Sequence, residues 1–433
     1  MKRILMRAGK EPWTPIGPEA SLSRALLGSN SGNAIFSYSA FRTLSTEDTE
    51  ITANYFKVDP KKADEINEKY DVFVVPLANA FRLSFAKSLD QLTALISRLK
   101  IRVVVLGVGA QSSLDYDLES LKPIEGSVKK FISAVLDRSD TLGVRGEFTE
   151  NYVRKLGYSA VDMIGCPSMF LHGDAFAITK KIPALKRDSK VAINVSPYVA
   201  QMSDILALNL KRYANLVYIP QDDATLKNFV WGEPEEARQL ETKAPVHLSH
   251  PVFKQNKAKF FIDPTTWISF LREYEFAFGT RIHGNITALL AGVPSYVIAH
   301  DSRTRELVEY FQIPHSLLKD LPSKVDAAEL YEKADYSDLN RGHAARFKRY
   351  TDFLEKNRLD HVFMPGKNAN AFDKKMAGVT FPAGIGPMLA TESAVLCDRI
   401  RWLNKRNEIQ MKNMNERVQT LEKLMTKKGW RWT

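Results

Sequence analysis

Residues 276–307 read FAFGTRIHGNITALLAGVPSYVIAHDSRTREL. The apolar run YEFAFG (274–279) predicts a buried strand, and the small-residue stretch 285–291 predicts a helix packed closely behind it. Arg281 and His283 then occupy the loop at the carboxyl end of that strand, where parallel α/β sheets hold their ligands. The start of the following helix offers unpaired N–H groups and the positive end of its dipole, which suit an anion. The dipole contributes about 0.3–2 kcal/mol, and each charge-assisted hydrogen bond from Arg281 adds about 1.5–3 kcal/mol. The next predicted strand, SYVIAH (295–300), delivers Asp301 and Arg303 to the neighbouring carboxyl end. Arg281, His283 and Arg303 are therefore expected to face one crevice and a phosphate or carboxylate within it.

Further strands are expected at 72–77, 102–109, 141–145, 191–196 and 215–220. They alternate with helical patterns at 88–99, 126–138, 147–156, 201–213, 266–273 and 303–311, the order of βα units in a parallel sheet. In the first half, DTLGVRGEFTENYVRKLG (140–157) repeats the arrangement, with Arg145 at a strand end before a helix opening on Glu147. Three arginines and a histidine converging on a cleft are much charge for a neutral sugar, and suit a small substrate bearing both phosphate and carboxylate. Plainer readings stay open at this point: Arg145 paired with Glu147 or Glu150, Arg303 opposite Glu306, and His283 as a satisfied loop histidine. GVGAQ (107–111) lacks the remaining glycines and the following acidic residue of a dinucleotide fingerprint, which excludes NAD binding.

At 433 residues the chain is long enough for two or three domains of about 100–200 residues. The polar segment 179–190 interrupts the pattern and places a boundary there, giving an N-terminal Rossmann-like domain over 1–185 and a second over 186–362. A helix is expected at 343–357, residues 363–390 read as a Gly/Pro/Asn/Lys-rich linker, and 391–433 as a basic helical tail. In that tail Met411, Met414, Val418, Leu421 and Met425 follow a coiled-coil-like 3-4-3-4 spacing. Ten basic against four acidic residues from Leu396 onward supply +6 of the net +11. The balanced body has no basic stripe with interleaved aromatics, so nucleic acid is not an expected partner. The tail leaves two partners open: a homo-oligomer, or peripheral contact with acidic lipids of the inner membrane surface through its basic side chains, Trp430 and Trp432. The start MKRILMRAGKEPWTP has no apolar stretch of secretory length, and no run reaches membrane-spanning length, so a cytoplasmic protein is expected. Cys166 and Cys397 match no metal or redox spacing.

GTRIHGNITALLAGVPSYVIAHDSR (279–303) resembles the C-terminal signature of the polysaccharide pyruvyl transferase family: Arg-x-His-Gly, a small-residue helix, Gly-x-Pro and Asp-x-Lys. LGVRGEFTENYVRKLG is similar to its earlier arginine motif, and NSGNAIFSYS (30–39) to its N-terminal turn. The likeness runs from about residue 28 to about residue 315. Arg303 stands where many relatives have Lys, Cys166–Pro167 where many have Asp-Pro, and NAF (79–81) replaces glycines. Cys166 is given no catalytic role.

The resemblance implies an α/β fold of two Rossmann-like domains in a GT-B-type arrangement, with the acceptor on the first and the donor on the second. It implies phosphoenolpyruvate as donor substrate and a saccharide acceptor, a polysaccharide or its lipid-linked precursor, that gains a pyruvate ketal. Arg145, Arg281, His283 and Arg303 would bind phosphoenolpyruvate, Arg303 would stabilise the departing phosphate, and His283 with Arg281 would be catalytic, His283 as general acid/base. No cofactor and no metal are expected. A nucleotide-sugar glycosyltransferase of GT-B fold and a non-catalytic assembly scaffold remain as rivals.

Overall fold

The computed structural model describes residues 1–235 and 242–427, without the side chains of residues 424–427. Its first half is built on β1 (Lys2–Met6), β2 (Thr49–Ala53), β3 (Val72–Pro76) and β4 (Arg102–Leu106), in the order β2-β1-β3-β4. β5 (Leu142–Val144) and β6 (Val161–Met163) pair with each other, and a parallel bridge from Val108 to Val144 joins them to the edge at β4. The second half carries β7 (Lys190–Asn194), β8 (Asn215–Tyr218), β9 (Phe276–Gly279), β10 (Ser295–Ala299) and β11 (His315–Leu317), in the order β11-β10-β9-β7-β8. The strand pairs are parallel. Crossover helices cover both faces of each sheet, which is why VFVVP and SYVIA are buried throughout rather than in alternation. The two Rossmann-like units face each other across a cleft, the GT-B type of arrangement.

The expected strands at the centres of both sheets are present, with helices within a few residues of the expected positions. β1, β2, β6 and β11 are additions. β6 and β11 have three residues each, too short for a periodicity to register. β1 is KRILM, whose basic start hides a central strand pairing with both β2 and β3.

One apolar core runs through both halves, joining Ile4, Met6, Ile164 and Phe170 of the first to Phe311, Tyr350 and Phe353. Close packing holds the halves together: a Cβ on Gly165 would lie 2.4 Å from the Phe311 ring. The helix Ser337–Lys356 leaves the second sheet and packs on the first unit. Tyr350 stacks on Phe170 at 5.1 Å and Lys356 pairs with Asp162 at 3.0 Å.

Residues 363–390, expected as a linker, are packed instead. They include the helix Asn370–Ala377, whose Phe372 is 1% exposed against Trp13 and Tyr38, and an antiparallel bridge from Ile385 to Phe260. Their Gly/Pro/Asn/Lys composition masked two apolar anchors. The tail forms one helix, Ser393–Lys427, of 35 residues, about 50 Å long. Its first turns dock on the body. Arg399 is buried, pairs with Glu19 at 3.3 Å and donates to the carbonyls of Phe229 and Val230, while Trp402 lies 5.9 Å from Trp231. Met411, Met414, Val418 and Leu421 are exposed; Trp430 and Trp432 lie outside the described residues. No described helix is long and apolar enough to cross a membrane.

Candidate functional site

The loop after β9 is shaped by a buried amide network. Gly279 has φ 143°, and a Cβ there would lie 1.8 Å from the Asn194 carbonyl oxygen, so the chain passes β7 with no room for a side chain. Asn194 Oδ1 accepts from the Arg281 N–H at 2.7 Å, and Asn194 Nδ2 donates to Asn285 Oδ1 at 3.2 Å. Asn285 Nδ2 in turn donates to the Gly279 carbonyl at 3.1 Å, and Ser295 donates to Asn285 Oδ1 at 2.9 Å. Neither Asn194 nor Asn285 was singled out from sequence. A lone amide inside the apolar run VAINVS was the available signal, because a buried polar group needs a partner. The network sets Arg281 at the N-cap of the helix Ile282–Leu290, with His283 in its first turn.

The cleft between the halves has a volume of about 170 Å³. Arg145, Arg281, His283 and Arg303 all line it, so the structure brings together the four residues expected from sequence. It adds Arg7 and Arg82. Five arginines and a histidine thus line a cleft to which no Asp or Glu contributes among the described residues. Arg7 follows β1 directly and would have been found had 2–6 been read as a strand; Arg82 follows the loop after β3.

Arg145 is 3% exposed, and its Nε has no hydrogen-bond partner among the described residues. Gly109 makes room for it: a Cβ at that position would sit 2.2 Å from Arg145 Nε. The second glycine of GVGAQ thus leaves the space that the arginine fills. The plainer pairings are not those observed. Glu150 pairs with Arg154 at 2.7 Å, and Glu306 accepts from the Thr149 N–H at 2.6 Å and its hydroxyl at 2.9 Å. Arg303 pairs with Asp301 at 2.8 Å and donates to the Tyr198 hydroxyl at 3.0 Å. Burial pushes the Arg145 pKa down, because its charge is held away from water, and the nearby Glu306 carboxylate offsets only part of that cost.

His283 stacks on Phe36, with ring centroids 6.4 Å apart, and its Nε2 lies 3.6 Å from Cys166 Sγ. A Cβ on Gly32 would come within 2.7 Å of Nδ1, so the ring fits against bare backbone from the first half. Burial, and then Arg145, Arg303 and Arg281, drive its pKa down to about 3. The imidazole is neutral at pH 7 in the free protein. Burial also raises the Cys166 pKa, keeping a neutral thiol against the ring. Cys166, left without a role from sequence, is thus a contact of the histidine. Beneath the cleft, burial lifts Glu306 to about 7, against the pull of Arg145.

Chemically, the arrangement can hold a small polyanion, neutralise charge developing on it, and move a proton through His283 once an anion offsets the arginines. Among the described residues no group of three His, Cys, Asp or Glu side chains could hold a metal ion.

The profile of the family described as polysaccharide pyruvyl transferase matches residues 30–302. A comparison with curated proteins returned no match. Among solved structures, a functionally uncharacterised protein from Klebsiella pneumoniae is similar at 14% identity, covering 75% of this chain and 92% of that one, with a TM-score of 0.37. S. aureus MnaA in a co-structure with UDP is similar at 11% identity, covering 89% and 100%, with a TM-score of 0.44. The Methanocaldococcus jannaschii UDP-GlcNAc 2-epimerase, in complex with UDP-GlcNAc and UDP, is similar at 12% identity, covering 82% and 99%, with a TM-score of 0.41.

Proposed function

We propose, since the chain belongs to the polysaccharide pyruvyl transferase family, that it moves the enolpyruvyl group of phosphoenolpyruvate onto two hydroxyls of a saccharide acceptor to form a pyruvate ketal. The observation that carries this reading is the arginine-lined cleft, free of carboxylates among the described residues, with His283 at a helix N-terminus inside it. Phosphoenolpyruvate carries a phosphate and a carboxylate on one small skeleton. Arg145 from the first half, with Arg281 and Arg303 from the second, would grip the two groups, each charge-assisted bond contributing about 1.5–3 kcal/mol.

The reaction divides among these residues as follows. The methylene carbon C3 takes a proton, and an acceptor hydroxyl adds its oxygen to C2 while losing its own proton. The C2–O bond to phosphate then breaks with its electron pair going to phosphate, whose charge Arg303 meets. A second hydroxyl closes the ketal and releases its proton. The sum is phosphoenolpyruvate plus a diol giving a ketal plus inorganic phosphate. His283 is neutral in the free protein, with a pKa near 3. The donor's negative charge would offset the surrounding arginines and raise that pKa, so donor binding charges the acid that the reaction needs.

The test is thermal stabilisation by ligand, followed by phosphate release. Phosphoenolpyruvate raises the melting temperature by mass action, and UDP- or GDP-sugars raise it less. Arg281→Lys keeps charge but loses the planar fork and weakens the donor shift. His283→Ala keeps the shift and lowers turnover by ~10²–10⁴. A nucleotide sugar stabilising the protein where millimolar phosphoenolpyruvate does not would assign the cleft to a glycosyltransferase instead.

A further inference from the structure

Arg7 and Arg82 are surplus to the donor as placed above, and each has an aromatic neighbour. The Arg7 guanidinium lies 5.0 Å from the centroid of Phe56 and donates to the Pro76 carbonyl at 3.2 Å. The Arg82 guanidinium lies 5.9 Å from the centroid of Phe85, and its Nε is buried without a hydrogen-bond partner among the described residues. Phe56 and Phe85 line the same cleft. Phe56 is held with φ 54° in the left-handed region, uncommon for an aromatic residue, and is pinned there by its N–H donating to the Ala8 carbonyl at 3.0 Å. Both arginines come from the carboxyl ends of the first sheet, across from the loops that carry Arg281 and Arg303. Burial lowers the Arg7 pKa to about 10, and burial followed by the Arg303 charge lowers that of Arg82, with Asp301 offsetting part of the effect.

We infer that Arg7 and Arg82 form a second anion subsite, which takes an acidic group on the saccharide acceptor, a phosphate ester or a uronate carboxylate, while Phe56 and Phe85 present apolar faces to its sugar rings. The inference rests on the pyruvyl-transfer reading for the identity of the acceptor. A neutral sugar seated there would cover two partly buried cations without pairing them, whereas an acidic one pairs both.

Calorimetric titration of the full chain, with and without saturating phosphoenolpyruvate, tests it using glucose 1-phosphate, glucuronate and glucose as probes. The acidic sugars bind and glucose does not, and the stronger of the two identifies the acid. Arg7→Gln and Arg82→Gln each weaken the acidic sugar about tenfold or more and leave phosphoenolpyruvate affinity close to wild type. Glucose binding as well as the acids, or phosphoenolpyruvate affinity falling in parallel with the acidic sugar, overturns the subsite. A protein that takes the acidic sugars but not phosphoenolpyruvate refutes the donor reading and leaves the subsite standing.

A separate observation concerns the tail helix. Arg399, Trp402 and Arg406 fall on one face, which docks on the body, with Arg406 over Trp402 at 5.5 Å. Ile400, Met411, Met414, Val418 and Leu421 fall on another and are 44–57% exposed. Their spacing is that of a narrow heptad seam rather than the broad apolar face of a helix lying in a lipid surface. Glu408 and Glu422 flank it on one side and Arg417 on the other, an arrangement that sets Arg417 of one chain against Glu422 of a second copy in a parallel coiled coil.

We propose that the seam docks a second copy of this chain in parallel. Sedimentation of the full chain at tens of micromolar shows a dimer, and Met414→Glu with Val418→Glu yields a monomer with unchanged phosphoenolpyruvate stabilisation. A monomeric wild type overturns the proposal. So does pelleting with anionic vesicles that the same double substitution abolishes, which would assign the seam to lipid.

Discussion

The contact between Cys166 and His283 allows the electrostatics of the site to be tested without an acceptor in hand. Cys166→Asp places a carboxylate where the thiol lies 3.6 Å from His283 Nε2. Arg145, whose charge already favours an anion at Cys166, would help keep the new carboxylate ionised. Opposite unit charges about 4 Å apart, at an effective dielectric of about 20, attract by about 4 kcal/mol. At about 1.4 kcal/mol per pKa unit this is about three units. The His283 pKa should therefore move from about 3 in the wild type toward about 6. Titration of isotope-labelled histidines by NMR, with the His283 resonance assigned by its loss in His283→Gln, reads the shift directly. Cys166→Ser, which adds no charge, should leave His283 titrating with the wild type. If Cys166→Asp leaves the His283 pKa unmoved, the arginine-and-burial account of that residue is wrong.

Gly32→Ala brings a methyl group to within 2.7 Å of the His283 ring; it should cost about 1–3 kcal/mol of stability and most of the turnover. Gly126→Ala, where a Cβ meets nothing within 4 Å, should gain up to about 1 kcal/mol, and urea denaturation of both separates them. Acid stability carries two opposing contributions. His283, depressed from 6.5 to about 3, adds stability that is lost as pH falls below 6.5, because the unfolded chain binds the proton first. Glu306, raised from 4.5 to about 7, works the other way, gaining stability as pH falls from 7 toward 4.5. Glu306→Gln removes the second contribution, so between pH 6.5 and 4.5 the variant should lose stability faster than wild type by about 1.4 kcal/mol per pH unit at most; parallel slopes in urea titrations would refute this. Arg303→Lys keeps a cation beside Asp301 but gives up the bond to Tyr198, so phosphate release should persist in Arg303→Lys and fall away in Arg303→Ala.

The α/β alternation, the strands at the centres of both sheets and the placing of Arg145, Arg281, His283 and Arg303 at strand ends were legible because each depends on local periodicity. A run such as SYVIA followed by HDSR carries its strand, its carboxyl end and its charged loop within ten residues. The short strands β6 and β11, the packed segment 363–390 and the amide network of Asn194 and Asn285 were not legible. Their stability comes from neighbours distant in the chain rather than from propensity. The sequence by itself thus determined the architecture and the gathering of Arg281, His283 and Arg303 in one crevice at the ends of β9 and β10. Only the tertiary structure decided that Arg7 and Arg82 join that crevice, that Gly109 clears space for Arg145, and that Cys166 and Gly32 enclose a neutral His283. The reason is that burial and charge summation depend on distance in space: Gly32, Cys166 and His283 are separated by more than a hundred residues along the chain and meet only when the two sheets close on one another.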